Sequence, residues 1–367
     1  MFVGITNTPR DYAWGSDGQI SALLGLRASG APEAELWLGA HPGSPSRLVD
    51  GSGTLIDVVD ARLPFLLKVL AAGSPLSLQA HPTMEQAAAG FARENELGIP
   101  LDAPNRNYKD AFHKPELIYA LSDEFDALCG FRAVDQTRRM LEAALPEAAA
   151  PLLARLHGDE SLREVFEWLI SRGEGVDSLV ARISDAADDS IPELSTVKLL
   201  AENYPGDPGI VISLLLNRVT LNRGEVLYLP AGNIHAYLAG LGIELMAASD
   251  NVLRGGLTPK HVDVAELLGV LDFRPLPVPY LVPEHPSTGV DIYRPDVPDF
   301  VLAKITDEGK LAITGPAIAL CVEGDLEVVG AVTTGNLSLG DAIYITGDEG
   351  TLEFAGLGTV FVATTGS

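Results

Sequence analysis

The sequence predicts a mainly β protein with an α-helical block inserted into it. Three observations carry that expectation. Short apolar segments separated by Gly, Pro and Ser clusters occupy both ends of the chain, apolar positions between 162 and 170 recur with helical spacing, and a run of breakers closes the helical stretch before β-type sequence resumes.

In chain order, segments 34–38, 55–59 and 65–70 read as β, each bounded by turn-forming residues. Leu162, Val165, Phe166, Leu169 and Ile170 fall at i, i+3, i+4, i+7 and i+8, the apolar stripe of an amphipathic helix. Segments 135–145 and 193–203 read as helical too, punctuated by Pro146, Pro151 and Pro192, and the acidic 185–189 reads as a solvated face or loop. Pro205, Gly206, Pro208 and Gly209 break the helices, and the β-branched and aliphatic residues of 210–220 predict a return to β. A helix at 262–271 and a connector carrying Pro275, Pro277, Pro279, Pro283 and Pro286 follow. Strands are then expected at 300–306, 317–322, 325–329, 342–345 and 360–364, the spacing of a sandwich or jelly roll. Segment 339–346 echoes 223–230, a Gly-acidic turn entering a similar strand, but no histidine follows the second copy. The expected division is a ligand-bearing β domain from 1–130 plus 208–262, a helical insertion at 131–207, and a ligand-free β domain at 263–367.

At 367 residues the chain is long enough for two or three domains of about 150 residues. A composition of 47% hydrophobic and 20% charged residues excludes bulk disorder. Fifty acidic residues against 25 basic ones leave a net charge of −25, which excludes nucleic acid and anionic membrane surfaces as partners. A small anionic substrate then requires local Lys and Arg. Cys129 and Cys321 sit in apolar stretches and read as buried free thiols, and the N-terminal residues carry no secretory signature, so the chain is expected to be cytoplasmic.

The chemistry concentrates in three places. Gly224, Pro230, Gly232 and His235 deliver a histidine from a strand and a Pro-Gly turn, which resembles the second motif of cupins, with Ala239 at the motif's usual Asn. Gln79 and His81 are two residues apart, hence on one strand face, and Glu116 follows His113, Lys114 and Pro115 at the start of an apolar strand. Gln79, His81, Glu116 and His235 form a nitrogen and oxygen donor set with one negative charge. Such a set suits one Zn²⁺ with an open position, and imidazole would also accept Fe, Co, Ni or Mn. Read singly, each of these residues is an ordinary structural one; their combination is what points to a metal.

The run from Tyr108 to Leu117 resembles the signature of type I phosphomannose isomerases, Y-x-D-x-N-H-K-P-E, with Phe112 at the usual Asn. Segments 34–42, 77–82 and 242–260 agree with the same family, in order. The resemblance implies two cupin-like jelly-roll domains and a zinc-dependent interconversion of mannose 6-phosphate and fructose 6-phosphate. It also implies Gln79, His81, Glu116 and His235 as ligands and an active-site role for Arg254. Lys114 and Glu244 are candidates for moving the proton, Asp250 and His113 for ring opening, and Ser77, Lys68 and Lys260 for the phosphate. The expected partner is a small sugar phosphate, and the expected state is a monomer. The competing readings are a cupin oxygenase or epimerase using iron, and a non-catalytic sugar-binding protein; neither requires the His113-Lys114-Pro115-Glu116 run or the Arg254-Gly255-Gly256 loop.

Overall fold

Two antiparallel β bodies and a helical block make up the chain, of which the computed structural model describes residues 1–366. Nine strands form the first body. Its spine is the 13-residue strand His235–Ala247. The first half of that strand pairs with Gln79–Ala80 and Glu124–Phe131, the second half with Phe65–Ala72 and Glu116–Ala120. The register shifts between Tyr237 and Ala239, and Gly240 (φ 130°) passes so close to Phe125 that a Cβ there would collide with its ring.

Strand alternation sorts the side chains of this body into two faces. Leu67, Val69, Leu117, Tyr119, Ile243 and Leu245 point outward into a core shared with the second body. By the same period, Lys68, Glu116 and Glu244 join Leu70, Ala72, Ile118 and Ala120 on the interior face. A one-residue slip would exchange the two sets, so burying the apolar face also fixes where the polar groups go.

The second body has ten strands, with Ala317–Val329 and Thr351–Thr364 at its centre. Tyr119 of the first body meets Tyr293 and Phe361 of the second edge-on, with ring centroids 5.7 and 4.8 Å away. Helices Val134–Ala144, Leu162–Ile170, Val176–Ala186 and Pro192–Asn203 pack on the far side of the first body, where Phe131, Phe166 and Phe273 cluster. All five residues of the expected helical stripe are buried.

Several local expectations are corrected. Segment 55–59 is no strand: Thr54 and Asp57 form a capping box that starts the 3-10 turn Leu55–Asp57. Residues 210–215 are helical, as Gly209–Ile212 and Ser213–Leu215, before the strand Leu216–Asn222 begins. That run is apolar and buried on every side, so it carries no period to separate helix from strand. Segments 317–322 and 325–329 are one strand bent at Gly324 (φ 69°). Phe2–Thr6, assigned with the first body, pairs instead with Ala342–Ile345 of the second, a pairing between opposite ends of the chain that no local rule reveals. The helix Met84–Glu96 was unanticipated, although its Thr83 and Gln86 capping box is written in the sequence. Cys129 and Cys321 are both free and buried. Among the described residues no helix is long and apolar enough to cross a membrane.

Candidate metal centre and sugar site

Three of the four expected ligands meet on the interior face of the first body. His81 Nε2, Glu116 Oε2 and His235 Nε2 are fully buried, have no hydrogen-bond partner among the described residues, and lie within 4.8 Å of one another. The two histidine nitrogens stand 3.3 and 3.2 Å from the same Glu116 oxygen without hydrogen-bond alignment. The opposite ring nitrogens are engaged: His81 Nδ1 lies 2.7 Å from the Asn251 carbonyl and His235 Nδ1 lies 3.1 Å from that of Asn233. Each carbonyl selects the tautomer that leaves an Nε2 lone pair facing the common point. Burial, then the nearby Lys114, pushes the His81 imidazole down to about 4, so it stays neutral as a ligand must. Burial would raise the Glu116 carboxyl, but Lys114 and His81 hold it well below the usual carboxylate range. Neutral imidazoles, an ionised carboxylate and orphaned lone pairs fit a divalent cation such as Zn²⁺. Gln79 occupies the register position opposite His235 on one side and Arg254 on the other.

Around this point the side chains divide into committed and available groups. Lys114 is buried with its ammonium on Glu116 Oε1. Lys68, expected at the phosphate, is engaged in ion pairs. It is 5% exposed and bridges Glu244 at 2.9 Å and Glu35 at 3.3 Å, because two carboxylates on the same dry face require a cation between them. Burial opposes the Lys68 charge, yet Glu244 and Glu35 hold its ammonium well above the usual lysine range. Glu244 is pushed up by burial and by its neighbours Glu116 and Glu35, and it is tied to Lys68 rather than open to a substrate.

Arg254 and Lys260 behave differently. Among the described residues Arg254 is paired with no carboxylate, and its side-chain hydrogen bond is to Ser77 Oγ at 3.4 Å. Burial lowers the Arg254 guanidinium and the adjacent Arg254 charge lowers Lys260, the signature of cations lacking counter-ions. In a chain of net charge −25 this is a local reversal of field.

A cavity of about 610 Å³, lined by His41, Arg62, Lys109, Phe112 and Asp250 among others, falls in the range of small-molecule sites. Burial would raise Asp250, but His41, 3.2 Å away, brings it below the usual range. Phe112 is partly exposed on the wall with the Arg62 guanidinium 3.7 Å from its ring centre. His113 Nε2 lies 2.7 Å from Asp299 Oδ2.

Unlike its neighbour Asp250, Asn251 is not singled out by the sequence reading. It is fully buried, its carbonyl orients His81, and its side chain holds Lys109 N, Asp110 O and Phe112 O. His41, which meets Asp250, and Glu35, which meets Lys68, are likewise not singled out; only their place within the matched run at 34–42 hints at them.

Three unpaired donor atoms in a dry interior have no structural rationale without a cation, and they place the chain among mononuclear metal enzymes built on antiparallel β sheets. Comparison with known proteins narrows this class. Residues 2–134 match the phosphomannose isomerase type I catalytic domain. The mannose-6-phosphate isomerase of Shigella flexneri is 38% identical, with 96% of this chain and 97% of the relative covered, and that of Homo sapiens is 34% identical with 86% of each covered. A crystal structure of the mannose 6-phosphate isomerase from Salmonella typhimurium, bound to substrate and a zinc atom, superimposes with a TM-score of 0.91 at 35% identity, over all of both chains. The chain belongs to the type I phosphomannose isomerase family.

Proposed function

We propose that the chain is a zinc-dependent aldose-ketose isomerase that interconverts D-mannose 6-phosphate and D-fructose 6-phosphate through an enediol. The observation that carries this reading is the set of three buried, unpaired ligand atoms with Lys114 at its edge. Gln79 completes the ligand set from its register position beside His235. Zinc held there supplies a Lewis acid for the carbonyl and hydroxyl oxygens of the sugar.

The protein's own groups do the rest. Lys260, with the Ser77 hydroxyl, holds the phosphate, since Lys260 has no carboxylate partner among the described residues. His113 and Asp250 open the ring by moving a proton between the ring oxygen and the anomeric hydroxyl. Lys114, acting as the neutral amine, takes the proton from C2 of the open aldose and becomes the ammonium, while the C–H electrons become the C1=C2 bond and the carbonyl oxygen gains charge. Arg254 stabilises that charge. The O2 proton then passes to O1 and a proton returns to C1, which leaves the ketose and restores the base. Glu244 is set aside as the shuttle because Lys68 already holds it.

We further read both β bodies as cupin-like jelly rolls, with 131–207 as an insertion and 263–367 as the copy without ligands. The two-faced strands of the first body support that reading. Free buried thiols support a cytoplasmic setting, and a monomer remains the expected state.

Metal analysis with a coupled assay on mannose 6-phosphate tests the function. Stoichiometric zinc with fructose 6-phosphate formation is expected, and Arg254→Ala should keep its zinc while kcat falls about 10²- to 10³-fold. Zinc without turnover would favour the sugar-binding reading, and oxygen uptake with iron the oxygenase.

A further inference from the structure

We infer that Asp299, delivered by the second β body, is a positioning residue that sets the tautomer and orientation of His113. The inference rests on the reading of His113 as a ring-opening group. The segment from Asp110 to Pro115 has no regular structure, and its backbone is held by Asn251 at Lys109, Asp110 and Phe112 and by Ser249 at Phe112. None of those bonds touches the His113 imidazole. Its side-chain hydrogen bond among the described residues is to Asp299, 186 positions later, at 2.7 Å, and both side chains are largely buried, 15% and 12% exposed.

Asp299 is itself well anchored. The next residue, Phe300, is fully buried in the core between the two bodies and leads directly into the strand Val301–Thr306. A carboxylate at this distance accepts the Nε2 proton, so the neutral ring keeps its lone pair on Nδ1. Nδ1 makes no hydrogen bond among the described residues, which leaves it available to a sugar hydroxyl or ring oxygen. Arg62, stacked on Phe112, lies within electrostatic reach of Asp299 and Asp110. The ligand-free body thus supplies one functional carboxylate to the other body's site.

The zinc-loaded full chain tests this with Asp299→Asn, His113→Ala and the double variant. Asparagine keeps the size of aspartate but presents both a donor and an acceptor, so it no longer dictates which nitrogen carries the proton. Asp299→Asn should lower kcat roughly 10- to 100-fold with KM within about twofold. Zinc content should be unchanged, and adding Asp299→Asn to His113→Ala should cause no further loss. Equal losses from Asp299→Asn in the parent and His113→Ala backgrounds would show a structural effect and overturn the inference. A large loss in His113→Ala with none in Asp299→Asn would overturn it while leaving His113 in its role. An unchanged kcat in His113→Ala would remove His113 from the mechanism and the inference with it.

Discussion

The two β bodies use the same local grammar and fill their interiors in opposite ways. Gly224 (φ 93°) leads into Val226–Leu229, and Gly340 (φ 87°) leads into Ala342–Ile345, the two halves of the sequence echo. Beyond the first, the chain turns back as His235–Ala247 and places His235 opposite Gln79; beyond the second, it passes through Gly347–Glu349 into Thr351–Thr364. The interior of the second body is apolar, with Ala303, Ile305, Leu326, Val328, Val360 and Val362 packed together. The interior of the first holds Lys68, Glu116, His235 and Glu244. The architecture therefore does not need a polar interior, and the buried charges of the first body are offset by ion pairs and by a set of ligand atoms that fits a cation.

The sharpest way to break this contrast is His81→Ala. It should abolish stoichiometric zinc and with it turnover, a larger effect than the roughly 10- to 100-fold loss of affinity usual for residues that only support a ligand. Retained zinc in that variant would remove His81 from the ligand set. Next in size is Lys68→Ala, which leaves Glu35 and Glu244 buried without their cation and should cost about 3–5 kcal/mol in denaturant unfolding. A stable Lys68→Ala protein with only a raised KM would restore the phosphate role that its ion pairs now argue against.

In the second body, Leu326→Ala should cost about 2–5 kcal/mol of stability while leaving zinc content and kcat of the folded protein unchanged. A selective fall in kcat would mean the ligand-free core is tuned to the site. The zinc-free protein should also respond to pH. His81 titrates near 4 when folded and near about 6.5 when unfolded, so below neutrality the unfolded state binds more protons. The His81 contribution is thus complete above about pH 6.5 and is lost as pH falls towards 4, on the order of 3 kcal/mol in all. His81→Gln should flatten that slope, and an unchanged slope would assign it to other groups. The smallest effect expected is from Lys260→Ala, a severalfold rise in KM for the sugar phosphate with kcat kept, absent for unphosphorylated mannose.

Much of the site was legible before the fold was known. Gln79 and His81 lie two apart, Glu116 opens an apolar strand and His235 follows a Pro-Gly turn, so the residue types and their local faces are readable, while their meeting depends on strand pairing. Lys68 was recognisable as a charge in an apolar strand, but not its destination, because Glu35 and Glu244 are 33 and 176 residues away. Asn251 carries no local signal because its partners at 81 and 109–112 come from other segments.

Local rules were enough to determine the β and helical segments with strong periodicity, the residue types of the metal centre and the acidic surface that makes an anion site conspicuous. The tertiary structure decided which cations are free. Lys68 and Arg254 are both cations in short-range reach of the site, yet one is neutralised by long-range strand pairing and the other is not. It also decided that the N-terminal strand belongs to the second body and that Asp299 meets His113. Pairing across 176 or more residues depends on register and closure of whole sheets, and no window of sequence contains that information.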